Sequence, residues 1–235
     1  MITVPFRKSF LKNAVGLILL LAFYTLCGQG NALEAYQIAL GPQTHLNNGS
    51  SFKPSYVSRT EHPFFLDPQF TKGSVTYDKV FYNNAKLLFN LSTNELLLKD
   101  SVSGKTMRLI EDNISNFSIH NHTFLKVQSI PDLENGFYDI LIEGPCSILI
   151  RRDKSLQYIK RDGRIKNIYQ TRNRIFLRIN DMVVPVTSKA SLLESFGSNM
   201  VGVKNGLKNV QVKFSGDKEK YCVEAARIFN ELISR

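Results

Sequence analysis

From Gly73 to Pro185, turn residues interrupt short β-prone runs at intervals of about 8–12 residues, the spacing of an antiparallel meander, too tight for alternating βα units. Gly73–Tyr77 and Val80–Tyr82 flank Asp78-Lys79. Lys86–Asn90 and Glu95–Lys99 flank Leu91-Ser92-Thr93-Asn94, and Lys105–Ile110 follows Ser103-Gly104. His120-Asn121-His122 reads as a turn between Ile114–Ile119 and Thr123–Val127. Gly136–Ile142 is turned by Gly144-Pro145 into Ser147–Ile150. Arg174–Ile179 pairs with Met182–Val186 across Asn180-Asp181, and Pro185 places that last strand at an edge because proline donates no ladder hydrogen bond. Sixteen Phe, nine Tyr and no Trp suit a sheet core.

After Val186 the apolar period changes from two to three or four. Thr187 or Ser188 caps a short helix with Leu192, Leu193 and Phe196 on one side, and Gly197 stops it. A second helix within Asn199–Val210 is weakened by Gly202 and Gly206. The strongest helix starts at Ser215 or Asp217 and carries Tyr221, Ala225, Ile228, Phe229 and Leu232 at helical spacing. The fold expected is therefore mainly β, α+β in class. Residues 73–186 form an antiparallel β-meander (sandwich, roll or barrel-like) on which a helical segment, 187–235, packs.

Ahead of the sheet, Arg7, Lys8 and Lys12 precede an apolar run from Ala14 to Leu26, and Cys27, Gly28 and Gly30 follow. A cationic start, a short apolar stretch and a small-residue exit make residues 1–32 a signal peptide, with cleavage near Asn31 or Leu33. The run is shorter than the ~20 residues of a spanning helix. Lipidation at Cys27 conflicts with Leu26, where a lipobox needs a small residue. Residues 33–72 are rich in Pro, Asn and Ser and read as an extended lead-in packing through Phe64 and Phe65. The expected location is exported: periplasmic, outer-membrane-associated or extracellular, with no transmembrane helix after cleavage.

In such a compartment a bridge between Cys146 and Cys222 is permitted, and two buried free thiols are the alternative. Of the formal charge of +10, Arg7, Lys8 and Lys12 contribute +3, leaving +7 after cleavage. Between Arg151 and Arg178 ten Lys or Arg face only Asp153 and Asp162, a net +8 interleaved with Tyr158, Tyr169 and Phe176. Clustered cations with flat rings suit an anionic polymer. Arg151, Arg152, Lys154, Arg161 and Arg164 are the candidate anion-binding residues. The opposing expectation is a solvated hairpin whose alternating side chains split the cations between two faces.

Motifs for chemistry are absent. No Gly-x-Ser-x-Gly elbow, Ser-x-x-Lys setting of the penicillin-binding type or phosphate loop occurs, no metal or cofactor is expected, and His120 and His122 fit a turn better than a ligand pair. A rival hydrolase acting on an envelope polymer would use dispersed carboxylates such as Asp139 and Asp153, converging in one cleft.

Gly73-Ser74-Val75 through Phe124, Gly136-Phe137-Tyr138-Asp139-Ile140-Leu141, Leu149-Ile150-Arg151-Arg152-Asp153-Lys154 and Ser188–Phe196 resemble an uncharacterised group of exported proteins from Bacteroidetes. The resemblance spans roughly residues 73–235 and implies a β-meander, a basic return strand and closing helices in an envelope or secreted protein. It brings no activity, cofactor or catalytic residue with it. The function expected is a non-catalytic module that binds an anionic envelope component or another protein.

Overall fold

The computed structural model describes residues 46, 49–52, 62–101, 103–161, 164–180 and 182–234. The segment read as a signal peptide lies outside them, as does most of the lead-in. All described residues belong to one unit that begins at Leu46.

Eleven strands are formed by these residues: β1 (Ser50–Ser51), β2 (Thr71–Tyr77), β3 (Val80–Asn90), β4 (Glu95–Lys99), β5 (Thr106–Arg108), β6 (Ile114–Ile119), β7 (His122–Val127), β8 (Gly136–Ile142), β9 (Cys146–Arg161), β10 (Arg164–Ile179) and β11 (Met182–Pro185). They make one antiparallel sheet in the order β1-β5-β4-β3-β2-β6-β7-β8-β9-β10-β11. The mainly β architecture with C-terminal helices matches the turn spacing, and Pro185 lies on the edge strand β11. Asp78 and Lys79, then His120 and Asn121, all take positive φ between directly paired strands. Two central residues of that kind match the right-handed strand twist, so each pair closes a tight hairpin. His122 is thereby the first residue of β7 rather than part of the turn.

Two departures from the sequence reading have physical reasons. β3 runs unbroken through Asn83 and Asn84, because a register shift opposite Gly73–Val75 absorbs the irregular pair and Asn84 takes φ of 56°. Two described pieces of the lead-in join the sheet: β1 pairs with β5, and Thr71 and Lys72 open β2. Phe64 bridges Asn90, and both Phe64 and Phe65 are buried.

The sheet rolls on itself. Phe89 of β3 meets Phe137 of β8 at 5.8 Å between ring centroids although three strands separate them in the sheet order. Phe117 lies 5.0 Å from Phe89, 5.1 Å from Phe137 and 4.8 Å from Phe124. These ring contacts fill the interior of the roll with Leu87, Leu96, Leu98 and Val75. A second core forms where the helices cover Cys146, Ile148 and Ile150 of β9 and Ile175 and Leu177 of β10.

Ser188 caps α1 (Lys189–Glu194), accepting from the Ser191 backbone while Ser191 reciprocates. Gly197, at φ of 53°, ends that turn. α2 (Met200–Leu207) and α3 (Lys218–Ile233) follow, the latter capped by Asp217 through the Lys220 amide at 2.9 Å. Gly202 and Gly206 do more than weaken α2. A Cβ at Gly202 would stand 2.9 Å from Leu232, and one at Gly206 would stand 2.8 Å from Ile228, so their bareness lets α2 and α3 approach closely.

Candidate functional site

β9 and β10 are sixteen residues each and pair from Ile179↔Cys146 out to Arg164↔Arg161. β8 reaches only as far as Ile150 along β9, and β11 only as far as Phe176 along β10. Beyond those points, among the described residues, β9 and β10 pair only with each other, as a two-stranded arm leaving the sheet. Residues 155–161 at about 3.4 Å per residue carry the tip roughly 24 Å beyond Lys154.

Alternation divides the arm into two faces. Cys146, Ile148 and Ile150 point into the helix-covered core, so Arg152 and Lys154 continue that side. Leu149 packs with Tyr138 and Phe176 on the opposite side, which Arg151 and Asp153 continue. The cations called from sequence are therefore split, and the three at the base are held by internal partners. Arg151 Nε donates to Asp153 at 3.0 Å, its Nη1 donates to the Asn135 carbonyl at 3.2 Å, and its guanidinium lies over the Tyr138 ring. Arg152 Nε donates to Asp139 Oδ2 at 2.6 Å, and both Nη atoms grip Glu219 of α3 at 3.0 and 2.9 Å. Lys154 Nζ donates to the Phe64 and His62 carbonyls at 2.7 and 3.2 Å. Arg151, Arg152 and Lys154 thus clamp the arm's base rather than offering an open anion site. Arg161 and Arg164 stand opposite one another in register at the tip.

The base is a dense charge network. Asp139 is fully buried and also takes His122 Nδ1 at 2.8 Å, while its Oδ1 has no partner. Asn173 Nδ2 adds a third hydrogen bond to Glu219 at 3.0 Å. Burial pulls the Arg152 guanidinium down, but Glu219 and Asp139 outweigh it and hold its pKa above the usual value. On the opposite face Arg174 donates to both Glu134 oxygens at 2.6 and 2.7 Å and to Asp153 at 3.1 Å. Those hydrogen bonds, led by the one to Glu134, raise Arg174 despite desolvation, and Glu134 is lowered in return. Asp139 was visible in the sequence only as one carboxylate among several, and Glu219 gave no signal, since its partner lies 67 residues away.

Past Lys154 the character changes. Leu156, Tyr158 and Lys160 of β9 share a face with Ile165, Asn167 and Tyr169 of β10. Tyr158 is 70% exposed, Ile165 74% and Leu156 38%. Lys160 is exposed on that same face, whereas Lys166 and Arg172, paired with Ile159 and Asp153, are exposed on the opposite one. Residues 155–170 carry Lys160, Arg161, Arg164 and Lys166 against Asp162, a net +3 in sixteen residues. Such a projection can engage a surface with cations and apolar side chains at once.

The other constellations do not assemble. Asp139 and Asp153 lie on opposite faces, one bound to His122 and Arg152 and the other to Arg151 and Arg174, so they share no cleft. His120 and His122 both approach the Phe65 ring edge-on, and no group of three metal-ligating side chains occurs among the described residues. A cleft of about 460 Å³ beside β1 is lined by Glu95, Arg108 and Glu111, and the first two neutralise each other at 2.8 Å. The bridge between Cys146 and Cys222 is not formed. Both are free thiols in the helix-covered core, where burial pushes each up to about 12. No described helix is long and apolar enough to cross a membrane. No family model, curated protein or solved structure matches the chain.

Proposed function

We propose that this protein is an exported, non-catalytic binding module whose β9–β10 arm engages an anionic component of the envelope. The observation carrying the proposal is the arm itself. It holds a local positive excess on a ribbon whose described residues between Lys154 and Thr171 join none of the buried clusters, so core packing does not account for their sequence. The divergence of Asp139 from Asp153 counts against the hydrolytic reading, which would draw on carboxylates such as these converging in one cleft. The cationic start and apolar run of residues 7–26 support export, as does the resemblance to exported Bacteroidetes proteins.

The working cations are the distal ones, because removing Arg151 or Arg152 would damage the base. On a dextran-sulfate matrix the protein should be retained and released by salt, since exposed charges are screened within about 8 Å at physiological ionic strength. Replacing Lys160, Arg161, Arg164 and Lys166 with Gln should lower the eluting salt concentration while leaving the circular dichroism spectrum unchanged. Unaltered retention of the quadruple variant would overturn the proposal.

A further inference from the structure

We infer that the component met by the arm is an anionic lipid surface, into whose headgroup layer Leu156, Tyr158 and Ile165 insert; this rests on the binding reading above and names its ligand. A soluble polyanion rewards cations on the contact face. Here the contact face instead presents two aliphatic side chains and a tyrosine around Lys160, with Ile165 and Tyr158 among the most exposed large hydrophobics of the described residues. Apolar side chains leaving water favour insertion at roughly 25 cal/mol per Å². Tyrosine suits the boundary because its ring is apolar and its hydroxyl is wet. Lys160 supplies attraction to lipid phosphates from the contact face itself, and Arg161, Arg164 and Lys166, in the same hairpin by sequence, add to its net positive charge, each basic residue near an anionic surface contributing a further favourable amount. Charge and apolarity thus converge on the same sixteen residues.

The ribbon also limits how deep it goes. Past Ile150 and Ile175 no strand among the described residues pairs with its outer edges, so every second backbone amide and carbonyl there depends on water or headgroups for hydrogen bonds. In hydrocarbon those groups would be orphaned at a cost of several kcal/mol each, which forbids spanning. The arm therefore lies at the interface and dips only its tip.

The chain contains no tryptophan, so Tyr158→Trp places one reporter on the contact face. With vesicles of phosphatidylcholine and phosphatidylglycerol in equal amounts, its emission should shift to the blue and the shift should reverse as salt rises. Vesicles of phosphatidylcholine alone should give little shift. The Tyr158→Ser, Ile165→Ser double variant of the otherwise unchanged chain should co-sediment with the mixed vesicles at least about tenfold more weakly. Equal co-sedimentation of that variant would mean that another segment, such as the Ala14–Leu26 run, binds the lipid, and would overturn the inference. Retention on dextran sulfate without any emission shift on mixed vesicles would also overturn it while sparing the binding module. Failure to bind either probe would end both readings.

Discussion

Arg152 joins three parts of the molecule: β9, which carries it, Asp139 on β8, and Glu219 in the first turn of α3. Two of these charges are buried, so the pair gains little over apolar residues of similar size, but an isolated member is costly. Arg152→Met should lose about 3–5 kcal/mol in urea unfolding because Asp139 is stranded. Adding Asp139→Asn should restore part of that loss, and a single variant within 1 kcal/mol of the parent (about the size of an ordinary surface change) would refute the clamp. Glu134 titrates under the opposite arrangement, exposed and held below the usual glutamate range chiefly by the Arg174 hydrogen bonds. A carboxylate with a lowered folded pKa adds stability that is present above the unfolded value and lost as pH falls through the folded one. The melting temperature should therefore fall below about pH 4.5, and Glu134→Gln should flatten that limb slightly, since exposed pairs are weak. The two thiols give a separate check. Raised to about 12 by burial, Cys146 and Cys222 should resist a thiol reagent at neutral pH and both react once the protein is unfolded. A bridged pair would not react without reductant.

Among the elements, hairpins and helices were legible because their signals are local. Leu91–Asn94 turns β3 into β4 as its residue types require, and Ser188 and Asp217 cap the helices that follow them. What escaped was whatever depends on an element distant in sequence: the bulge that keeps β3 continuous, the pairing of β1 with β5, and the contact of α2 with α3. Gly202 and Gly206 show the point, since propensity alone marks them as defects while the structure uses them as a groove. Two effects compete at Gly206. A larger residue gains helix propensity, at most about 1 kcal/mol for Ala and less for Val, yet must displace Ile228, whose branched methyl would be 2.8 Å from the new Cβ. For Gly206→Val overpacking should win, lowering stability by about 1–3 kcal/mol in chemical denaturation. A stabilised variant would show that the helices part freely.

For the whole molecule, the sequence displayed the charge of residues 151–178 but not its allocation. The net +8 was legible, and period-two alternation already implied that one patch could not hold all of it. Which cations are internal depended on where β8 and β11 stop pairing and on where Glu219, Asp139 and the Phe64 carbonyl fall in space. The boundary so drawn, between a clamped base and a projecting tip, predicts that stability and binding separate. No buried cluster draws on the described residues of 155–170, so this segment should be dispensable for the fold. Replacing it with Asn-Gly closes Lys154 onto Thr171, its existing register partner, with a turn whose twist suits the strands. The shortened protein should stay within about 1 kcal/mol of the parent, a shift of about 2–4 °C at this chain length. Retention on dextran sulfate and sedimentation with anionic vesicles should both be lost. A collapse in melting temperature would mean that the arm is structural, and undiminished binding would move the function to another surface of the roll.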